Sequence, residues 1–284
     1  MSPRDRLHMP PTQAMHVLSA LLEQHTGQQI AANRTWRIET ALKPVLRARG
    51  YETLDELVAA LLRDQTGEIA GHAVDALLNQ ETSFYRDAGI LETIAEAAEQ
   101  MGQGLGRRVS IWSAACSTGQ EPLSLAMLFA ESTMREGRGE PEILATDVSD
   151  SALNRARSGR YSQFEIQRGL PIRKMVDWFN ADGTDWVAKP ELVRRISFRK
   201  HNLVSDPPPI GRFDIILCRN VLLYLSPALR RQVFDRLAKV IRPGGLLVLG
   251  AGETVIGQSD AFVPSTRHKG FYEPRCAPHA ANAA

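Results

Sequence analysis

The chain has 284 residues, 43% hydrophobic and 23% charged, with 34 basic against 32 acidic side chains. That length favours two domains and lets the chain bury enough surface to need no disulfide or metal staple. The near-balanced charge argues against a dedicated nucleic-acid binder, and Asp206-Pro207-Pro208-Pro209 lacks the aromatic of a base-modifying Asn/Asp-Pro-Pro-Tyr/Phe loop.

Cys116, Cys218 and Cys276 are too scattered for a disulfide framework, and no Cys-x-x-Cys or His-Glu-x-x-His spacing suggests a metal. The opening MSPRDRLHMPPTQ lacks the apolar centre of a signal peptide, and no apolar run reaches the roughly 18 residues of a membrane span. A soluble, cytoplasmic protein without membrane insertion is expected.

Residues 1–11, rich in proline and polar groups, read as a flexible tail. From 12 to 78 the apolar spacing is helical: Met15, Leu18, Leu21 and Leu22; then Ile38, Leu42, Val45 and Leu46; then Leu54, Leu57, Val58, Leu61 and Leu62; then Ala73, Val74, Leu77 and Leu78. Gly27, Gly50 and Gly67 punctuate these stripes, and Thr53 with Glu56 suggests a capping box, so a small all-α domain is expected. Between Arg34 and Arg49 five basic residues face one acid, Glu39, within a domain otherwise acidic. Such a run is either a solvated helix face or a docking surface, and Pro44 leaves its orientation open.

A further helix, Ile90 to Met101, precedes a change of texture. The runs 109–115 (VSIWSAA), 142–147 (EILATD), 213–218 (FDIILC) and 246–251 (LLVLGA) are short and apolar, and helical patterns alternate with them. That alternation predicts a doubly wound α/β domain over 79–275, built on a parallel sheet covered on both faces. Three short segments with turn signals predict a small antiparallel β-subdomain at about 176–200. Arg242-Pro243-Gly244-Gly245 reads as a helix cap and turn, and 276–284 as a second flexible tail.

In doubly wound sheets the ligand sits beyond the carboxyl ends of the strands. The first strand ends in Ala114-Ala115-Cys116-Ser117-Thr118-Gly119-Gln120-Glu121-Pro122, a small-residue loop that fits neither G-x-G-x-x-G nor a P-loop. The second strand ends on Asp147, suited to bond ribose hydroxyls; Asp147 or Ser149 could also cap the next helix. Together they favour an adenosyl ligand without a phosphate chain, S-adenosylmethionine. The third strand ends in Arg219-Asn220. Buried there, their polar groups need partners, supplied by a ligand or by an inter-loop salt bridge. Cys116 and Cys218 read as small packing residues at strand ends.

Residues 80–87 (QETSFYRD), 116–122 (CSTGQEP), 145–149 (ATDVS), 198–203 (FRKHNL), 218–224 (CRNVLLY) and 242–245 (RPGG) resemble the CheR family of chemotaxis receptor methyltransferases. The resemblance runs from about residue 12 to 274. It implies a helical N-terminal domain, a Rossmann-like S-adenosylmethionine-dependent domain and an inserted β-subdomain. By motif, Thr82 and Arg86 would contact the methionine end of the cofactor, Glu121 would also line its pocket, and Gln80, where the family usually has Asn, would contact it too. Asp147 would take the ribose, Asn202 and Leu203 the adenine, and Arg219 and Asn220 the cofactor or substrate. Arg86, Arg219 and Tyr224 would serve the transfer itself, without a metal.

The implied reaction methylates glutamate side chains on cytoplasmic chemoreceptor helices, with Arg34, Arg37, Lys43 and Arg47 docking the receptor. The candidate tether loop, Asn180 to Asp185, has one glycine where some relatives carry a Gly-Gly loop, so no receptor C-terminal pentapeptide is expected. Methylation of another signalling protein, or a regulatory adaptor without turnover, are the alternatives.

Overall fold

The computed structural model describes residues 13–31, 34–63, 67–103, 106–136 and 139–275. The two tails expected at 1–11 and 276–284, and Cys276, lie outside the described residues. The chain falls into two compact units, one running to Asn79 and including Tyr224–Ser226, the other formed by Gln80–Leu223 and the residues from Pro227 onward.

The first unit is helical: α1 (Gln13–Thr26), α2 (Trp36–Arg49), α3 (Leu54–Arg63) and α4 (Glu68–Leu77). α1 and α4 bury the stripes their apolar spacing predicts, whereas α2 and α3 bury theirs in part: Leu18, Leu22, Ile38, Leu42, Leu57 and Leu61 are almost fully enclosed, Val45, Leu46 and Leu54 are half-buried, and Leu62 is exposed. Pro44 sits inside α2 without ending it. Both Pro44 and Thr40, whose carbonyl loses its partner, are exposed, so water replaces the missing amide. Gly50 ends α2 in the left-handed region (φ 70°), its amide and that of Tyr51 closing onto Arg47 O and Leu46 O. Thr53 Oγ1 accepts from Glu56 N at 3.2 Å, while Glu56 reaches back to the Glu52 amide, one residue beyond a standard capping box. Tyr224–Ser226 joins this unit through a bridge between Gln28 and Leu225 and a bond from Gln29 N to Tyr224 O (2.8 Å).

The second unit continues with α5 (Ala88–Gly102), β1 (Ser110–Ala114), α6 (Gln120–Glu136), β2 (Glu142–Asp147), α7 (Asp150–Ser158) and β3 (Arg160–Ser162). Then come α8 (Gln163–Gln167), α9 (Ile172–Trp178), β4 (Phe179–Asp182), β5 (Asp185–Ala188), α10 (Pro190–Val193), β6 (Ile196–Lys200) and β7 (Phe213–Cys218). The chain closes with α11 (Pro227–Val240), β8 (Ile241–Leu249), β9 (Phe262–Pro264) and β10 (Tyr272–Pro274).

The main sheet has the order β6-β2-β1-β7-β8-β10-β9, parallel from β6 to β8 and antiparallel beyond. All six residues of β7 are buried, as expected of a parallel strand covered on both faces. The chain leaves β1 toward β2 and later returns to its other side as β7. The carboxyl ends of β1 and β7 therefore flank the switch point, where such sheets open a ligand crevice.

Two segments differ from the sequence reading. The small antiparallel sheet has the order β3-β5-β4, so its third strand is Arg160–Ser162 and not 196–200. Ile196–Lys200 instead pairs in parallel with β2, extending the main sheet by one edge strand. Its partner is an apolar strand some fifty positions earlier, which no local spacing reveals. Arg242–Gly245 is likewise not a cap and turn but the start of β8, where the ladder to β7 slips its register between Phe213 and Ile215.

Candidate active site

The site is built from the ends of β1, β2 and β7, with the segment Gln80–Asp87 laid against them. The loop after β1 is held in unusual backbone geometry: Ala115 (φ 59°), Ser117 (φ 53°) and Gly119 (φ 92°) lie in the left-handed region. Among the described residues the other non-glycine residues there are Tyr85, Asp87 and Asn220, all in the segments that form this site. Each costs about 1–3 kcal/mol and persists only where its surroundings enforce it, as functional loops do. Gly119 is required twice over, because a Cβ would also lie 2.7 Å from Ala156 Cβ and 3.2 Å from its Cα.

Asp147 is 8% exposed. Its Oδ2 accepts from Ser117 N (2.8 Å) and its Oδ1 from Ser149 N (3.0 Å), fixing the carboxylate between the loops after β1 and β2. Ser149 is the cap of α7, accepting from Ala152 N at 3.1 Å, which resolves the capping alternative in its favour. Gln80 bridges the same loops: its Nε2 donates to Ser149 Oγ (3.0 Å) and its backbone carbonyl accepts from Ser117 Oγ (2.8 Å). His201 N donates to Asp147 O (2.9 Å), which sets Asn202 and Leu203 next to that strand end. Asn202 orders its own turn through Asp206 and Val204 N, and Arg236 anchors the Leu203 carbonyl (3.0 Å).

The end of β7 is electrostatic. The Arg219 side chain, 2% exposed, donates to Glu121 Oε2 (2.9 Å), to Asp87 Oδ2 (2.5 Å) and to the Arg86 carbonyl (3.4 Å). Glu121 also accepts from Ser113 Oγ at 2.8 Å. The partners of the buried guanidinium are therefore an inter-loop salt bridge, one of the two solutions its sequence position allowed. Arg86 itself is half-buried and donates to Glu81 O at 3.2 Å, and Thr82 is half-buried. Asn220 N, Leu222 N and Gly250 N converge on Glu253 at 2.7 to 2.8 Å. Burial, then nearby carboxylates, pushes the Cys116 and Cys218 thiols well above their ordinary range, so both are packing groups.

Gln80, Thr82, Arg86, Glu121, Asp147, Asn202, Leu203, Arg219 and Asn220 thus fall in one unit. Tyr224 falls in the helical unit, as do Arg34, Arg37, Lys43 and Arg47. Arg34, Lys43 and Arg47 are exposed, whereas Arg37 is half-buried. Sequence reasoning did not single out Ser117, Asp87 or Glu253. Glu253 lies in the turn beyond β8 and closes no strand, so the rule that picked Asp147 passes over it. Among the described residues no group of three or more His, Cys, Asp or Glu side chains could hold a metal ion.

A topological switch point, a small-residue loop in left-handed geometry and a buried acid closing the second strand define a nucleoside-binding α/β domain suited to S-adenosylmethionine. The family described as CheR methyltransferase, SAM binding domain matches residues 80–271. Chemotaxis protein methyltransferase Cher2 of Pseudomonas putida is 32% identical over 247 residues, covering 85% of this chain and 90% of its own. Chemotaxis protein methyltransferase 1 of Pseudomonas aeruginosa is 34% identical over 247 residues with the same coverage. The chain belongs to the CheR methyltransferase family, and its α/β unit is an S-adenosylmethionine-dependent methyltransferase domain.

Proposed function

We propose that the chain methylates glutamate side chains on the cytoplasmic helices of chemoreceptors, yielding glutamyl methyl esters for adaptation in chemotaxis. The observation that carries the reading is the fixed Asp147 carboxylate beside the Ala115–Gly119 loop, in a chain whose relatives are chemotaxis methyltransferases. Asp147 would hold the ribose, Asn202 and Leu203 the adenine, and Gln80, Thr82 and Arg86 the methionine end. Arg219 would act from behind, holding Glu121 and Asp87 in place, since its own guanidinium is turned toward them. Asn220 would shape the loop beside it, and Tyr224 would orient the substrate.

When bound, S-adenosylmethionine supplies a sulfonium methyl: the carboxylate oxygen forms the new O–C bond as the C–S bond breaks and its electrons pass to sulfur. A glutamate side chain, which ordinarily titrates at about pH 4.3, is already ionised at neutral pH, so the chain need supply no general base. Its residues act by positioning, which contributes roughly 7–11 kcal/mol in favourable systems. The Arg86 guanidinium suits the cofactor's carboxylate as a forked donor.

Arg34, Arg37, Lys43 and Arg47 would dock the acidic receptor helix. Recognition would not use a C-terminal pentapeptide tether. The β4–β5 hairpin supports this: it closes tightly through Gly183 (φ 63°), and Arg160 pairs with both Asp182 and Asp185 across it. No described helix is long and apolar enough to cross a membrane.

Incubation with labelled S-adenosylmethionine and receptor cytoplasmic fragments should leave base-labile label on those fragments. Cofactor binding without such label would redirect the reading to another signalling protein or to a regulatory adaptor.

A further inference from the structure

The helical unit contains a polar chain that links two residues given separate roles above, Arg37 and Tyr224, through Asn79. Arg37, on the flank of α2, donates from Nη2 to Asn79 Oδ1 at 3.3 Å. Asn79 Nδ2 in turn donates to the Tyr224 hydroxyl. Chemistry fixes this direction. A guanidinium has only donors, so the amide edge facing Arg37 is its oxygen, and the edge facing Tyr224 is its NH2. A phenol oxygen that accepts from an amide keeps its own O–H to give away. The surroundings hold the pair at the backbone: Asn79 N donates to Gln28 Oε1 (3.4 Å), and Tyr224 O accepts from Gln29 N (2.8 Å).

We propose that Arg37 and Asn79 are positioning residues that set the Tyr224 phenol as a hydrogen-bond donor for the incoming glutamate carboxylate. The inference rests on the proposed part of Tyr224 in the reaction. A donor of this kind suits the chemistry. It binds one carboxylate oxygen without neutralising the group and leaves the other oxygen to attack. The chain of bonds also begins on α2, the helix whose exposed face carries Lys43 and Arg47, so the docking element and the orienting phenol are coupled.

Asn79→Asp is the discriminating variant. It keeps the shape and strengthens the pairing with Arg37, but its carboxylate can only accept and so claims the phenol proton. With receptor fragments as substrate, kcat should fall roughly tenfold or more. Cofactor affinity and the receptor KM should stay within about twofold, and the melting temperature should hold. In a Tyr224→Phe background the same substitution should cost nothing further. As an independent check, Arg37→Met should lower kcat, and Arg37→Lys, which restores a donor-only cation, should recover most of it.

Full kcat in Asn79→Asp alongside a loss in Tyr224→Phe would overturn the coupling and leave the role of Tyr224 standing. Full kcat in Tyr224→Phe would remove the reading beneath it. Equal losses from Asn79→Asp in both backgrounds would make Asn79 structural only and overturn the proposal.

Discussion

Asp147 illustrates how the fold can fix a side chain at the place proposed for a ligand contact. Its two oxygens accept backbone amides from the loops after β1 and β2, so the carboxylate is pre-oriented before any nucleoside arrives. A carboxylate bonded to ribose hydroxyls forms charge-assisted bonds, each stronger than a neutral pair. Asp147→Ala should therefore weaken S-adenosylmethionine and S-adenosylhomocysteine binding by at least about tenfold, as read by calorimetry. Unchanged affinity would sink the ribose assignment. This residue was legible in the sequence because an acid closing an apolar strand is conspicuous. Ser117, Asp87 and Glu253 were not, because they act through bonds to backbone or side chains 30, 132 and 33 positions away. Arg219 was half legible: a cation at the end of a buried strand must have partners, but the strand alone does not say which.

At the level of elements, readability follows continuity. β2 and β7 coincide with the expected runs because each carries a short apolar core, Ile143–Ala145 and Ile215–Cys218, flanked by charged or polar residues. β3 has three residues and gains its identity only by pairing with β5, and β6 gains its place only from β2.

The same sheet depends on one buried carboxylate at its amino end. Asp214 in β7 accepts two bonds from Arg107 (2.6 and 2.7 Å) and one from Ser110 N (2.9 Å), tying β7 to the start of β1. Burial alone would raise its pKa. The bonds from Arg107 and Ser110, with the charges of Arg107 and Arg242, outweigh burial and hold it below the ordinary value. A depressed folded pKa means this stabilisation is complete above the unfolded carboxyl's pKa and is lost as pH falls through the folded one. Asp214→Asn should cost about 3 kcal/mol near neutral pH, less than a fully enclosed pair because Arg107 is partly exposed. The gap to the parent should narrow as the pH drops below about 4. Denaturant melts across that range would check it; a gap independent of pH would refute the linkage.

For the molecule as a whole, an overall charge of +2 conceals how unevenly the charge is placed. On α2, Ile38 and Leu42 are buried, while Lys43, Arg47 and Trp36, the last 64% exposed, lie on the opposite side. Amphipathic spacing thus turns a basic run into a basic face with an aromatic at its amino end, which is what an acidic helix would need to find. Exposed charges steer encounter more than they bind, and their pull is screened beyond about 8 Å at physiological salt. In the reaction with receptor fragments, the receptor KM of the parent should climb with ionic strength while the cofactor affinity does not. Reversing both charges, Lys43→Glu with Arg47→Glu, should raise that KM roughly tenfold at low salt, each reversal contributing about 0.5–1 kcal/mol, and should flatten the salt response. Because neither residue belongs to the methyltransferase unit or to the Arg37–Asn79–Tyr224 chain, kcat at saturating receptor should survive the reversal. If kcat collapsed while KM stayed put, Lys43 and Arg47 would be serving catalysis and not recognition, and the docking face would have to be sought elsewhere on the molecule.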